Sequence, residues 1–438
     1  MMRHLFLLLA TTILTIGTLH PQHTDPHEGV ADPHDNTITH TPLRTGADQL
    51  STFHSPLSSF HFPLSTFHSP LSSFHFPLST FHSPLSTFHF PLSTKKIALV
   101  ANHTSLVARP LGGYTHLVDT LLSNDIDVVK IFCPEHGFRG TEAAGAHIAS
   151  TTDSATGLPI ISLYGKNKKP TPAQLQGVDL VIFDLQDVGC RFYTYISTLH
   201  YVMEACAEQH IPLLLLDRPN PNGHYVDGPV LDTAHLRSFV GMHPVPVVYG
   251  MTIGEYAMMI NGEGWLNGGI HCNLTVLPLQ GYSHSQPSTL NSQPSTLNPQ
   301  LSTLNSQLSA LPTPPSPNLR NDHAIALYPS LCLFEGTRCG VGRGTPYPFE
   351  WVTFGNDTLD LRHETAPAAF SIHYLITMYR RVPKGQFFLN NNFFDKLAGT
   401  YSLRRQLEQG TPEQVIRDSW QPALDNFKKI REKYLIYK

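Results

Sequence analysis

Ile126-Asp127-Val128-Val129-Lys130-Ile131-Phe132-Cys133-Pro134-Glu135-His136-Gly137-Phe138-Arg139-Gly140 is the stretch from which the rest of the chain is read. Its apolar first half reads as a buried strand. Pro134 and Gly140 bound a loop leaving that strand. The loop carries a carboxylate, an imidazole and a guanidinium within five residues. In open α/β sheets ligands bind beyond the carboxyl ends of strands, so a charged loop there is a place for chemistry. The plainer alternative is a solvated turn on which Glu135 and Arg139 pair with each other. Further loops of the same kind favour the first reading.

Working outward, residues 96–101, 159–163, 179–184 and 211–216 are short apolar runs that read as strands. Between them, 115–123, 172–176 and 195–210 have helical spacing. Strands alternating with helices imply a mostly parallel sheet covered on both faces, a three-layer α/β fold. Near-continuous apolar strands suit a sheet buried on both sides.

Polar residues gather where these strands end. The first strand gives Asn102-His103-Thr104-Ser105, and the second gives Pro134-Glu135-His136-Gly137. The strand at 179–184 leads into Leu185-Gln186-Asp187-Val188-Gly189 and Arg191-Phe192-Tyr193. The strand at 211–216 leads into Asp217-Arg218-Pro219-Asn220. Carboxylates, Arg, Asn and aromatic rings on one sheet edge suit a sugar: polar groups for hydroxyls, rings for apolar sugar faces, Arg for an acidic substituent. No Gly-x-Gly-x-x-Gly follows a strand, and Gly340-Val341-Gly342-Arg343-Gly344 misses that spacing, so a nucleotide cofactor is disfavoured and no cofactor is expected. There is no Gly-x-Ser-x-Gly elbow and no Walker loop.

Composition narrows the partners. Lys plus Arg number 29 against 33 Asp plus Glu, a formal charge of −4, with no basic stripe for nucleic acid. None of the six cysteines has Cys-x-x-Cys spacing, which argues against a structural zinc site, so no metal is expected. Cys332 and Cys339 could pair in an oxidising compartment or stay buried thiols. Arg3 and His4 precede an apolar run over 5–16, with a small-x-small pattern at Thr15-Ile16-Gly17. Residues 1–17 therefore read as an export signal, placing the protein in the periplasm, and no stretch is long enough for a transmembrane span. Residues 18–94 read as a disordered tether. Within it, 51–92 repeat a heptad of the form [ST]-x-F-H-x-P-L, and a proline every seventh residue forbids a continuous helix. A second tract at 286–311 repeats Gln-[Pro/Leu]-Ser-Thr-Leu-Asn and reads as a polar surface loop, spanning about 283–317 in all.

Six ordered motifs make a resemblance specific. They are Asn102-His103-Thr104-Ser105, Pro134-Glu135-His136-Gly137-Phe138-Arg139-Gly140, Phe183-Asp184-Leu185-Gln186-Asp187-Val188-Gly189 with Arg191-Phe192-Tyr193-Thr194-Tyr195, Asp217-Arg218-Pro219-Asn220-Pro221, Leu333-Phe334-Glu335-Gly336-Thr337, and Gly342-Arg343-Gly344-Thr345. Together the sequence resembles the exo-β-N-acetylmuramidase family, also called DUF1343, over most of 95–280, 324–354 and the end from 394 to 437. The resemblance implies a Rossmann-like catalytic domain at 95–240 and a smaller α+β C-terminal domain at 241–438, with a cleft between them. It implies a glycosidase that releases terminal β-linked N-acetylmuramic acid from muropeptide or peptidoglycan disaccharide substrates. Where family members carry an aromatic and basic segment, this chain has the 286–311 repeat. After Phe354 it passes over part of the family's C-terminal domain and resumes near Ala366.

Glycosidases usually work with two carboxyl groups. Glu135 is the expected general acid and Asp187 the expected second carboxylate, with Asp184, Asp217 and Glu335 as competitors. His136 either orients Glu135 or simply packs. Arg191 and Arg343 are the candidates for holding the lactyl carboxylate in bidentate fashion. Asn102, Arg139, Tyr193, Asp217, Arg218, Asn220 and Glu335 complete the expected substrate contacts. Asp217 could instead brace the Arg218 loop, and Tyr193 and Tyr195 could be core aromatics. Two other readings stay open: a cell-wall-glycan binding protein without turnover, and a different α/β sugar-processing transferase. Oligomeric state is not legible.

Overall fold

The computed structural model describes residues 44–50, 92–109, 111–135, 137–139, 151–284 and 311–437. The export signal, His136, most of the heptad repeat and the repeat at 286–310 lie outside the described residues.

The described strands are β1 (Ile97–Ala101), β2 (Leu106–Ala108), β3 (Tyr114–His116), β4 (Val128–Cys133), β5 (Thr151–Thr152), β6 (Pro159–Ser162), β7 (Leu180–Asp184), β8 (Leu213–Leu216), β9 (Leu274–Leu277), β10 (Trp351–Phe354) and β11 (Asp357–Asp360). Seven form one sheet in the order β5-β6-β4-β1-β7-β8-β9. Every neighbouring pair is parallel except β5 with β6. From β1 the chain winds outward through β4 and β6. It then returns to β7 and winds the other way through β8 and β9. That reversal is the switch point of a doubly wound sheet.

Side-chain alternation explains why the strands are apolar throughout. Ala98, Val100, Val181, Phe183, Leu213 and Leu215 enter a core on one face. Ile97, Leu99, Leu180, Ile182, Leu214 and Leu216 enter a separate core on the other. The first core takes in the helices Tyr195–Glu208 and Ile253–Gly262. The second takes in Leu117–Leu122. Ile253–Gly262 begins at a capping box in which Thr252 and Glu255 satisfy each other's backbone N–H.

The sheet continues past residue 240, since β9 pairs with β8. The C-terminal half adds the helix Asp322–Leu331, the β10–β11 hairpin and the helices His373–Arg381, Phe393–Ala398, Ser402–Glu408, Glu413–Asp418 and Gln421–Arg431. Their apolar residues, among them Leu375, Phe394, Leu403 and Leu424, belong to the same core as the sheet face.

One part of the supposed tether belongs to the fold. Gly46–Leu50 is a short helix whose Ala47 and Leu50 are buried in the second core. Gly46 donates its N–H to the Asp217 carbonyl at 3.0 Å. A Cβ on Gly46 would stand 2.7 Å from both Asp217 N and Leu277 O, so only glycine lets the backbone come this close. Five residues carry too little periodicity to reveal such a helix from sequence.

Candidate active site

The loops after β4, β6 and β7 bring Glu135, Tyr164 and residues 192–195 to the carboxyl edge of the sheet. The C-terminal half adds Tyr328, Glu335, Arg343 and Phe349. Together they line a cavity of about 310 Å³. Glu135 is half-buried, and its Oε2 meets the Thr194 hydroxyl at 3.3 Å. The Tyr164 phenol also bonds Glu135, and burial followed by the Glu135 charge pushes that phenol up to about 12. Glu335 comes from the 3-10 turn Cys332–Gly336, which follows directly on the helix Asp322–Leu331. Its Oε1 accepts a close bond from Arg343 Nε. The Arg343 guanidinium lies 5.1 Å over the Phe349 ring, and its paired Glu335 helps hold it charged. Tyr193 packs edge-on against Tyr195 and Tyr328, and its hydroxyl donates to the Pro315 carbonyl at 2.7 Å. The structure thus brings Glu135, Glu335, Arg343 and Tyr193 together, two carboxyl groups from opposite halves of the chain facing one space.

The other expected site residues lie elsewhere. Asp187, expected as the second carboxylate, does not line the cavity. It is 3 % exposed, and its Oδ2 accepts from the Tyr249 hydroxyl and from Gly189 N. Arg191, expected to meet the lactyl carboxylate, is fully buried and donates to the carbonyls of Pro229, Val245 and Leu397. Burial pushes its guanidinium down to about 9. It fastens the loop after β7 to the C-terminal half. Arg218 forms a two-pronged pair with Asp184 at 2.5 and 2.9 Å. Asp217 accepts from Arg218 N, Gly254 N and the Thr252 and Tyr437 hydroxyls, the bracing alternative. Asn102 bonds the Tyr195 hydroxyl, and Asn220 bonds Met251 O and Asn222 N. Arg139 pairs with Asp153 and Asp119 rather than with Glu135. His136 lies outside the described residues. All six cysteines, Cys332 and Cys339 included, are free thiols and buried.

Tyr164 and Thr194 escaped the sequence reading as partners of Glu135. Tyr164 follows β6 by two residues, and that strand-end position was the available signal. Tyr328 and Phe349 carry no local signal, because tertiary packing alone brings them here.

The relocation of Asp187 has a measurable consequence. Burial pushes its carboxyl from 3.8 up to about 6, against the opposing bonds from Tyr249 and Gly189. Across that interval the native protein keeps a proton that the unfolded chain releases. Stability should therefore fall as pH rises through the window, by about 3 kcal/mol at full extent. Asp187→Asn does not titrate. Its melting temperature should decline less than the parent's between about pH 4 and pH 7. Parallel declines would show that Asp187 does not hold this proton.

The comparisons with known proteins agree with this architecture. Residues 97–305 match the N-terminal family of exo-β-N-acetylmuramidase NamZ, and residues 326–363 and 353–437 match its C-terminal family. The two C-terminal pieces overlap at the β10–β11 hairpin, beside the departure after Phe354. The chain is 37% identical over 389 residues to the peptidoglycan β-N-acetylmuramidase NamZ of Bacillus subtilis (strain 168), covering 78% of this chain and 88% of that protein. A DUF1343 family protein from Bacteroides fragilis NCTC 9343 superposes with a TM-score of 0.70 at 36% identity, covering 91% of this chain and 99% of the other. A second from the same organism gives 0.65 at 27% identity, covering 79% and 95%. With both halves of the family pattern matched in order, the chain belongs to the exo-β-N-acetylmuramidase NamZ family.

Proposed function

We propose that the protein is a glycoside hydrolase that releases terminal β-linked N-acetylmuramic acid from peptidoglycan fragments, with Glu135 and Glu335 as its working carboxyl groups. The observation that carries the assignment is their convergence on one cavity beside Arg343. Their partners divide the roles. Arg343 can only donate, so its bond with Glu335 suits a carboxylate that stays charged. The hydroxyls of Tyr164 and Thr194 can donate to Glu135 or accept from it, which suits a carboxyl group that gains and loses a proton. Glu135 then protonates the glycosidic oxygen as the C1–O bond breaks. Glu335 stabilises positive charge developing at C1. A water oxygen takes the place of the leaving sugar, and its proton returns to a carboxylate of the pair.

Arg343 bonds Glu335 through Nε, and among the described residues its two terminal nitrogens have no hydrogen-bond partner, which leaves them for a second anion. The lactyl ether of muramic acid supplies one, and a planar guanidinium holds a carboxylate with both prongs. The test uses a chromogenic β-glycoside of N-acetylmuramic acid, from which the parent should release the chromophore. No release, with saturable binding of the same compound, would leave a glycan-binding protein. Arg343→Ala should raise the inhibition constant of free N-acetylmuramic acid by about 10- to 100-fold, the scale of one charge-assisted pair. That of N-acetylglucosamine, which lacks the lactyl group, should change much less. Equal changes for both sugars would remove Arg343 from lactyl recognition.

A further inference from the structure

Arg343 holds Oε1 of Glu335. The other oxygen, Oε2, has a partner from its own turn, the Cys332 thiol, whose sulfur lies 3.6 Å away. The backbone sets this contact. The Cys332 N–H closes the helix Asp322–Leu331 on the Tyr328 carbonyl, and the same residue opens the 3-10 turn Cys332–Gly336. Residues four apart on an α-helix share a face, and residues three apart in a 3-10 turn eclipse each other. Tyr328, Cys332 and Glu335 therefore stand in one row, and all three line the cavity. The Tyr328 phenol bonds the Cys332 thiol. Its ring is held edge-on by Phe192, Tyr193 and Phe349 at 5.4, 6.0 and 4.9 Å. Burial, and then the Glu335 charge, make the thiol keep its proton more tightly than usual, so it donates to Oε2.

We infer that Cys332 is a positioning residue for Glu335: it fixes the plane of the carboxylate through Oε2 and, as a weak donor, leaves the charge on that oxygen for C1. The inference rests on the hydrolase reading above. A carboxylate gripped at Oε1 alone can still turn about its last bond, whose torsion is soft. A second donor on Oε2 removes that freedom. The strength of the donor matters as much as its place. A hydroxyl would bond a carboxylate at about 2.5–2.7 Å and take up much of its charge. An S–H is a weak donor, so it orients the group at little cost in charge.

The test reads the pH dependence of kcat/KM on the chromogenic β-glycoside of N-acetylmuramic acid. Arg343 and Glu135 are the charged groups that line the cavity with Glu335. Burial raises the Cys332 thiol and the phenols of Tyr164, Tyr193, Tyr195 and Tyr328, so all stay protonated on the acid side, where Arg343 stays charged. The carboxyl groups then set the profile. Glu335 must be charged and gives the acidic limb, and Glu135 must hold its proton and gives the basic limb. The lactyl group of the substrate titrates alike with every variant, so a difference between variants belongs to the enzyme. A donor to the charged form favours that form. Cys332→Ala removes the donor: the acidic limb should move up by about half a pH unit, and kcat should fall about three- to tenfold with KM little changed, the scale of one hydrogen bond. Cys332→Val fills the space without a donor, should behave like Cys332→Ala, and serves if that variant does not fold. Cys332→Ser supplies a stronger donor of similar shape. Its limb should move the other way, to lower pH, and its kcat should lie between those of Cys332→Ala and the parent. An acidic limb that stays in place in Cys332→Ser or in the variants without a donor, or that moves the same way in both, would overturn the inference. A parent that releases no chromophore would overturn the hydrolase reading, and this inference with it.

Discussion

Glu135→Gln is expected to lower turnover of the muramyl disaccharide by about 10²- to 10⁴-fold, the usual worth of a positioned general acid. Glutamine keeps the size of the side chain and can still bond the Tyr164 and Thr194 hydroxyls, but it has no proton to give. Binding should survive. The loss should be smaller on a substrate with an activated leaving group, which needs less protonation. The informative measurement is therefore the ratio of variant to parent kcat on the disaccharide and on a nitrophenyl glycoside. Equal losses on both would assign Glu135 another role, and parental rates on both would make it a structural loop residue. Glu335→Gln should differ in pattern. It removes the charge beside C1, so both substrates should lose rate together.

The second large effect is on stability. Asp184 is 0 % exposed and Arg218 is 2 % exposed. Their two-pronged pair sits at the switch point, where the Asp184 carbonyl also accepts from the Ser105 hydroxyl at 2.6 Å. Coulomb attraction to Asp184 opposes the burial that would otherwise discharge Arg218. Asp184→Ala leaves the buried Arg218 guanidinium with only the Leu106 carbonyl and the weaker attraction of Asp48, a loss of about 3–5 kcal/mol when one partner of a buried pair is removed. The denaturant midpoint should drop accordingly. The double variant Asp184→Leu with Arg218→Met should recover much of the loss, because no lone charge remains. A single variant that unfolds at the parent's midpoint would show that water reaches Arg218 and that the pair is not a joint of the fold.

This pair shows what sequence can and cannot give. The three-layer sheet was legible because burial on both faces leaves β1, β7 and β8 apolar from end to end. The loops at the strand ends were legible as sites of polar clustering. Which of their members face substrate was not. Asp184, Asp187, Asp217, Arg191 and Arg218 look like catalytic residues in a list, yet each is consumed by a neighbour that the chain reaches only through folding. Asp217 meets Tyr437 across 220 residues, and Arg191 meets Leu397 across 206. A buried charge with internal partners and a cleft charge awaiting a ligand have the same letters. Glu335 sits in a recognisable motif, but no local pattern shows that the turn after Asp322–Leu331 faces the loop after β4, so Asp187 is the stronger second carboxylate by sequence alone. The helix at 46–50 was hidden for the opposite reason: its signal is a single glycine fitted against two backbone atoms.

The most direct measurement is a crystal structure of Glu135→Gln bound to N-acetylmuramyl-β-1,4-N-acetylglucosamine. The expected result has the muramic ring in the cavity between residue 135 and Glu335. Its lactyl carboxylate should lie on the terminal nitrogens of Arg343, and the glycosidic oxygen within hydrogen-bond reach of residue 135. A disaccharide seated away from both residues, or one whose lactyl group meets another cation, would contradict the assignment of this cleft as the place where the bond is cut.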